Sequence, residues 1–125
     1  MKISKLVSSQ PRKKRKAAYE APLHMARTML MSNLSKDLRK TTNRRSELVK
    51  KGDRVKIMRG SHKNKTAKVV EVDYKSRRVF LEGITVTARR SKSAVFTPFD
   101  SSNLQIVELS ERKTTRKQPV AAKKK

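Results

Sequence analysis

Residues 49–72 read VKKGDRVKIMRGSHKNKTAKVVEV, and this pattern indicates a β-hairpin. Residues 54–58 alternate polar and apolar side chains, as the residues of a half-buried strand do. Residues 60–66 are polar and begin with glycine, which is typical of a turn, and residues 68–74 are rich in valine. The stretch therefore predicts two strands joined by a tight basic loop.

Further short strands are expected on the C-terminal side of this hairpin. The residue pattern predicts turns at residues 75–78 and 100–103, and strands at residues 79–81, 84–88 and 104–109. Gly83 is expected to break the strand before it, and Pro98 is expected to begin an irregular stretch. Four to five short strands in this part of the chain favour a small barrel over a sandwich.

The N-terminal part predicts short helices. These helices are expected at residues 12–20, 23–31 and 36–40. Pro11 suits the first helical position, and Pro22 separates the first two helices. Ser35 suits the N-cap of the third helix, with Asp37 in its first turn. Each helix is too short to be stable alone in water, so it must dock on the β domain or on a partner.

The charge of the chain predicts a polyanionic partner. There are 34 lysine and arginine residues against 10 aspartate and glutamate residues, a formal net charge of +24. The excess is spread over the whole chain, and half of it lies before residue 52. Self-repulsion of this size disfavours a compact free monomer, and a polyanion relieves it. Nucleic acid is therefore the leading partner, and an anionic membrane surface is the second.

Several classes of function are disfavoured by what the sequence lacks. The chain has no cysteine, which excludes disulfides, cysteine nucleophiles and zinc ribbons. His24 and His62 are far apart and have no cysteine near them, so no metal site is expected. Neither paired carboxylates nor a Ser/His/Asp set is recognisable, so we expect no enzyme and no cofactor. The absence of a secretory signal or a membrane-spanning apolar run predicts a soluble intracellular protein.

The hairpin also resembles a known motif. One series is similar to the KOW motif: Gly52-Asp53-x-Val55-x-Ile57-x-x-Gly60, followed by Lys68-Val69-x-x-Val72. Six segments follow one another in the order found in one ribosomal family: residues 34–39, 43–46, 49–53, 56–60, 72–75 and 81–84. Over roughly residues 10–109, the chain resembles the large-subunit ribosomal protein numbered twenty-four in bacteria and twenty-six in eukaryotes. Its N-terminal extension is similar to that of the archaeal and eukaryotic branch.

This resemblance implies a mainly β fold, a small SH3-like KOW barrel with a basic helical and extended N-terminal arm and a basic C-terminal tail. The extension, the barrel and the tail are expected at residues 1–46, 47–109 and 110–125. The implied function is structural, namely binding large-subunit ribosomal RNA early in assembly and near the polypeptide exit. Neighbouring ribosomal proteins are the other expected partners, and a cytoplasmic, ribosome-bound protein is expected.

The residues expected to contact RNA are basic or belong to the loop of the KOW motif. They are Arg12, Lys13, Lys14, Arg15, Lys16, Lys36, Arg39, Lys40, Arg44, Arg45, Arg59, Gly60, Ser61, His62, Lys63, Asn64, Lys65, Lys68, Arg89 and Arg90. Asn64 and Ala67 stand where the family usually has glycine. Asparagine tolerates left-handed backbone angles, so Asn64 is expected to keep the turn. The basic run at residues 12–16 is also compatible with a nuclear-import signal or a solubilising patch.

Three alternatives stay open on the sequence alone. The nearest is a KOW-type transcription factor or another RNA-associated regulator, although such factors normally carry a further domain that contacts polymerase. The composition is also compatible with a chromatin or DNA-compacting protein. A membrane-surface protein would need an amphipathic helix with a wide apolar face, and the proline-interrupted N-terminal arm does not provide one.

Overall fold

The computed structural model describes residues 8–87 and 93–111. Its helices and strands are, in chain order, α1 (Pro11–Tyr19), α2 (Leu23–Thr28), β1 (Met31–Leu34), α3 (Lys36–Thr42), β2 (Ser46–Leu48), β3 (Arg54–Ile57), β4 (Thr66–Asp73), β5 (Arg78–Thr87), β6 (Ala94–Phe99), the 3-10 helix η1 (Ser101–Asn103) and β7 (Leu104–Glu108). The described residues thus contain seven strands, more than the four to five that the sequence predicts.

The seven strands form one sheet in the order β2-β1-β7-β3-β4-β5-β6. Neighbouring strands are antiparallel except for β1 and β7, which are parallel. Parallel pairing of the first strand with the last brings the N-terminal segment against the end of the described chain. The fold is mainly β, a small SH3-like barrel, and the predicted fold class is confirmed.

The core of the barrel takes apolar residues from both sides of the KOW hairpin. Val55 and Ile57 of β3 are fully buried and alternate with the outward-facing Arg54 and Lys56, as the sequence pattern predicts. The buried apolar cluster consists of Leu30, Leu34, Val49, Val55, Ile57, Val69, Val79, Leu81, Ile84, Phe99, Leu104 and Ile106. Since three members of the cluster precede residue 50, the N-terminal segment helps to complete the core.

The second helix is shorter than the sequence predicts, and the segment after it forms a strand. α2 ends at Thr28, and Met31 begins β1. Leu34 of β1 is fully buried and lies opposite Ile106 of β7. Pairing with a strand distant in sequence therefore overrides the helix propensity of methionine and leucine. The prediction of a helix through Met31 is wrong, and β1, β2 and β6 have no counterpart in the sequence-based prediction.

Gly83 and Pro98 also behave differently from the prediction. Gly83 does not break the strand but lies inside β5, at a φ of 73°. The register between β5 and β6 shifts between Phe80 and Thr85, so the glycine occupies a bulge. Pro98 does not begin an irregular stretch but lies in β6. β6 is at the edge of the sheet, where a missing N–H can face away from the neighbouring strand.

The ends of two helices agree with the sequence. Pro11 occupies the first position of α1, as predicted. The Oγ of Ser35 accepts a hydrogen bond from the Leu38 N–H at 3.4 Å, so Ser35 is the N-cap of α3. Asn43 ends α3 at a φ of 52°, in the left-handed conformation that commonly terminates helices.

A buried carboxylate lies at the start of β3, where the KOW hairpin begins. Asp53 is fully buried, and its Oδ2 accepts a hydrogen bond from the Lys50 N–H at 2.9 Å. Its Oδ1 accepts from the N–H and the Oγ of Ser110, at 2.9 and 2.8 Å. These hydrogen bonds offset the loss of hydration of the carboxylate. They fasten the start of β3 to the chain that follows β7, so the base of the KOW hairpin is held in place.

Candidate nucleic-acid interface

The KOW loop, residues 59–65, joins β3 to β4 and is closed by backbone hydrogen bonds. The Ile57 N–H donates to the Lys65 carbonyl at 2.9 Å, and the Asn64 N–H donates to the Ile57 carbonyl at 2.8 Å. Gly60 has a φ of 95° and Asn64 a φ of 69°, two left-handed positions that let the chain reverse. Because the backbone fixes the loop, its side chains are available for other contacts.

The two positions that depart from the family pattern leave the hairpin intact. The left-handed backbone predicted for Asn64 is confirmed. Ala67 lies within β4 opposite Val55, packs against the core and does not have a positive φ. The backbone conformation at position 67 therefore does not require glycine.

Two side chains hold the KOW loop against the barrel. The ring of His62 packs edge-to-face on Phe99, with ring centroids 6.2 Å apart and planes at 73°. Arg59 Nη1 donates a hydrogen bond to the Ser102 carbonyl at 3.2 Å. Both side chains therefore support the loop, and their predicted contact with RNA stays a prediction.

The remaining cations of this hairpin face the solvent. Lys63 and Lys65 in the KOW loop and Lys68 in β4 are exposed, and so is Ser61. Within the part of the chain that the structure describes, the three ammonium groups make no ion pair and no hydrogen bond. They are positive charges held on a fixed backbone, which is an arrangement suited to phosphate oxygens.

The 3-10 helix η1 joins the KOW hairpin to the segment between α2 and β1. The Met58 N–H donates to the Asn103 carbonyl at 2.8 Å. From the other side, Ser32 Oγ donates to the Ser101 carbonyl at 2.5 Å, and Ser101 Oγ donates to the Met29 carbonyl at 3.3 Å. Ser32 and Ser101 are both buried. The position of the KOW loop is therefore coupled to the N-terminal segment through hydrogen bonds.

Two further cations of the sheet, Arg54 and Lys56, lie near Lys68 and were not singled out by the sequence analysis. Arg54 of β3 lies directly opposite Lys68 of β4, and Lys56 lies opposite Thr66 on one side and Gln105 on the other. Like charges directly opposite each other destabilise a sheet. We call Arg54, Lys56 and Lys68 the sheet-face cations. Alternation in β3 places Arg54 and Lys56 outward, and this signal was available in the sequence.

The sheet-face cations have weak protein partners or none. Arg54 Nη1 lies 3.0 Å from Glu108 Oε1, but these side chains are 56% and 61% exposed. An ion pair this exposed contributes little to stability, so a phosphate can compete with Glu108 for Arg54. Lys56 is half-buried and has no ion pair among the described residues.

Helix α3 places three of the predicted residues beside β1. Lys36 and Lys40 are exposed, whereas Arg39 is half-buried. Arg39 Nε donates a hydrogen bond to the Leu34 carbonyl at 2.9 Å, so this guanidinium holds α3 to the sheet. Lys36 and Lys40 thus face solvent, whereas Arg39 attaches the helix to β1.

The other predicted arginines differ in surroundings. Arg44 Nη1 forms an exposed ion pair with Glu47 Oε2 at 3.0 Å. Arg45 is exposed, and its carbonyl accepts a hydrogen bond from the Leu34 N–H at 3.0 Å. Arg89 and Arg90 lie outside the described residues. Their predicted role stays a prediction.

The five basic residues at positions 12–16 form most of α1, which buries no residue. Successive residues of an α-helix are rotated by about 100°, so these cations surround the helix axis. Cations three or four residues apart repel one another, and only Lys16 is close to an acidic group, Glu20, at 3.6 Å. A helix that is polar on all sides needs support from a partner, and a polyanion would supply it.

Residues 8–87 and 93–111 offer no candidate for two other kinds of site. No group of three or more histidine, cysteine, aspartate or glutamate side chains there is arranged to hold a metal ion. In the same residues, no helix has the length and the apolar character that crossing a membrane requires.

The sequence that forms the barrel, the KOW loop and the basic N-terminal helix matches a known protein family. Residues 8–123 match the family of eukaryotic ribosomal protein L26 and its archaeal counterpart, the archaeal protein numbered twenty-four. The chain belongs to this family. It is a structural constituent of the large ribosomal subunit, and the resemblance found from the KOW motif and its flanking segments is confirmed. The match begins before α1, so the basic helix is part of what this ribosomal protein shares with its family.

Proposed function

We propose that this ribosomal protein binds large-subunit ribosomal RNA through the KOW loop, the sheet-face cations and the basic helix α1. The observation that carries the proposal is the state of Lys63 and Lys65. Both are exposed and without a protein partner among the described residues, on a loop that the backbone already fixes. A phosphate that binds there does not have to order the loop first, so little conformational entropy is lost.

The chemistry of these groups favours recognition of RNA shape over recognition of base sequence. Lysine ammonium groups bind phosphate as point charges, and phosphate contacts fix position without reading bases. Thr66 and Gln105 flank Lys56 and can hydrogen-bond to 2′-hydroxyl groups, which distinguish RNA from DNA. The KOW loop and the adjoining sheet would therefore act as a rigid surface against folded RNA.

Helix α1 has a different task in this proposal. Its five consecutive cations would enter a space between RNA helices, where phosphates approach it from several sides. Binding would stabilise the helix by replacing repulsion between lysines and arginines with attraction to phosphate. Folding of α1 would then be coupled to assembly of the particle.

Membership in the family also supports the finer parts of the proposal. We infer that the protein joins the large subunit early, lies near the polypeptide exit and contacts neighbouring ribosomal proteins in the cytoplasm. Its contribution there is structural, since a barrel presenting fixed cations can hold crowded RNA segments together. Co-sedimentation with large subunits that resists a high-salt wash tests this placement. A signal confined to light fractions, or to DNA or polymerase, would contradict it.

Binding to an rRNA transcript across a salt series tests the proposed contact directly. The logarithm of affinity should fall linearly with the logarithm of salt concentration, by about 0.7–0.9 for each neutralised phosphate. Duplex DNA of equal length should compete poorly, because the flanking polar groups and the A-form shape are matched to RNA. A response to salt that is nearly flat, or equal competition by DNA, would overturn the proposal.

A further inference from the structure

The turn between β4 and β5 contains an arginine in a backbone conformation that favours other residues. This β4–β5 turn, residues 74–77, connects the paired residues Asp73 and Arg78. Arg77 ends the turn at a φ of 59°, in the left-handed region. Hairpin loops of this kind usually place glycine or asparagine there, because a side chain is unfavourable at such a φ. A specific contact of the Arg77 side chain would explain the choice.

The turn does not need the Arg77 side chain to hold its own shape. Asp73 Oδ1 accepts hydrogen bonds from the N–H groups of Lys75 and Ser76, at 2.9 and 3.3 Å. Asp73 Oδ2 accepts from Ser76 Oγ at 2.5 Å. The aspartate therefore organises the turn locally, as in an Asx turn, and Arg77 is free to reach elsewhere.

Arg77 reaches the N-terminal arm, residues 8–30, at two points. Its Nη1 donates a hydrogen bond to the Ala18 carbonyl at 3.0 Å and lies 3.4 Å from Met29 Sδ. Ala18 is in the last turn of α1, where carbonyl groups lack helical partners and a positive charge is favourable. No other hydrogen bond or ion pair joins α1 to the barrel within residues 8–87 and 93–111.

We propose that Arg77 is a positioning residue, which fixes the basic helix α1 relative to the barrel so that its cations meet the RNA together with the KOW loop. The inference rests on the proposed binding of rRNA. α1 buries no residue, so packing does not set its direction, and the guanidinium at its C-terminal end does. A second contact holds the following helix, α2, to the same turn, since the Arg27 guanidinium of α2 lies 6.0 Å from the Tyr74 ring centroid. The β4–β5 turn thus holds the N-terminal arm in place.

Distances in the free protein test the positioning without any RNA. Gln10 and Glu71 are both exposed, so cysteines introduced there can carry nitroxide labels. The chain has no cysteine of its own, so no native cysteine has to be replaced first. Electron double resonance should give a narrow distance distribution in the otherwise unchanged chain and a broad one with Arg77→Asn. Asparagine tolerates the left-handed φ, so the turn itself is preserved. Distributions of equal width would overturn the proposal.

A double-mutant cycle separates positioning from direct contact with RNA. Arg77→Asn should weaken binding of an rRNA transcript by roughly two- to tenfold, the range for losing one ordered element. In a chain whose α1 carries Lys13→Gln, Lys14→Gln and Arg15→Gln, the same substitution should have almost no effect. An equal loss in both backgrounds would mean that Arg77 touches RNA itself, and the proposal would fall.

Lys75→Asn is the matched control, because it removes a cation from the same turn. Among the described residues the Lys75 ammonium makes no hydrogen bond to the arm, so neither the label distances nor the cycle should change as they do with Arg77→Asn. If the unaltered chain fails to bind rRNA at all, the proposed function is wrong, and the label distances still decide whether Arg77 fixes α1.

Discussion

The KOW loop and the β4–β5 turn are similar in sequence character and different in use. Each joins two antiparallel strands, and each carries at least two cations. Each also contains one residue other than glycine in the left-handed region, Asn64 with a φ of 69° and Arg77 with a φ of 59°. From composition alone, either would be assigned to phosphate binding.

What separates the two is where their polar groups are satisfied. In the KOW loop, backbone carbonyls accept the N–H groups, and Lys63 and Lys65 point to solvent. In the β4–β5 turn, the carboxylate of Asp73 accepts the N–H groups, and the guanidinium of Arg77 binds the N-terminal arm. Here the acidic residue at the end of the preceding strand, Asp73, marks a basic turn with a structural role. A basic turn closed by its own backbone is the better candidate for binding.

The largest effect should come from neutralising the two free lysines of the KOW loop. Lys63→Gln with Lys65→Gln should weaken rRNA binding on the order of thirtyfold at 0.1 M salt, because two phosphate contacts are lost. The salt slope should fall by about 1.4–1.8. Filter binding of the full chain to an rRNA transcript measures both quantities.

Lys75→Gln is the matched control for this comparison, since it removes a positive charge from the β4–β5 turn. Affinity and salt slope should stay close to those of the unaltered chain. Equal losses for each positive charge removed from the two turns would show that net charge alone governs binding, and the distinction drawn between them would be lost.

Sequence information was sufficient for the local half of this comparison. The alternation around Val55 and Ile57 predicts β3, and the choice of asparagine predicts the left-handed turn at Asn64. The N-cap at Ser35 follows from the same kind of local chemistry. In each case the residues that reveal the conformation lie within a few positions of one another.

The other half depends on contacts between distant residues, and sequence reasoning did not reach it. β1 forms because Leu34 pairs with Ile106, and no sequence pattern near Leu34 predicts that pairing. The task of Arg77 is likewise set by Ala18, 59 positions away. Arg54 and Lys56 were a different kind of omission, because their outward position follows directly from strand alternation.

The strands beside the two turns should also differ in their contribution to rRNA binding. Lys56 precedes the KOW loop and faces outward between Thr66 and Gln105. Lys56→Gln should reduce the salt slope by about 0.7–0.9 and weaken rRNA binding by roughly sixfold at 0.1 M salt, as expected for one phosphate.

Thr85 lies outward and exposed on β5, beyond the β4–β5 turn, and offers a comparison at a neutral site. Thr85→Lys adds a cation to the barrel away from the KOW hairpin. If this addition restores the affinity lost with Lys56→Gln, the location of the charge does not matter and the sheet face is not a binding surface.

A smaller effect is expected from the backbone of the KOW loop itself. Asn64→Ala should reduce the free energy of unfolding by about 1 kcal/mol, because alanine is unfavourable at a left-handed φ. Asn64→Gly should leave stability nearly unchanged, since glycine adopts this φ readily. Urea unfolding of the two variants measures the difference, and equal stabilities would mean that the left-handed turn is not retained in solution.

The smallest effect should appear in the β4–β5 turn at low pH. The hydrogen bond from the Ser76 hydroxyl, with help from the Ser76 and Lys75 N–H groups, lowers the pKa of Asp73 below its ordinary value of 3.8.

A carboxyl whose pKa is lower in the folded state stabilises the fold above its unfolded pKa and loses that contribution as pH falls through the folded pKa. Asp73→Asn should therefore reduce stability slightly at neutral pH and make less difference as the pH falls below the ordinary value of 3.8. Urea midpoints measured from about pH 2.5 to 7 at constant salt test this, with Glu71→Gln on the same strand as the control for loss of a carboxylate. A variant at Asp73 whose effect on the urea midpoint did not depend on pH would show that the aspartate does not organise the turn, and the chemical difference between the two turns would have to lie in Arg77 alone.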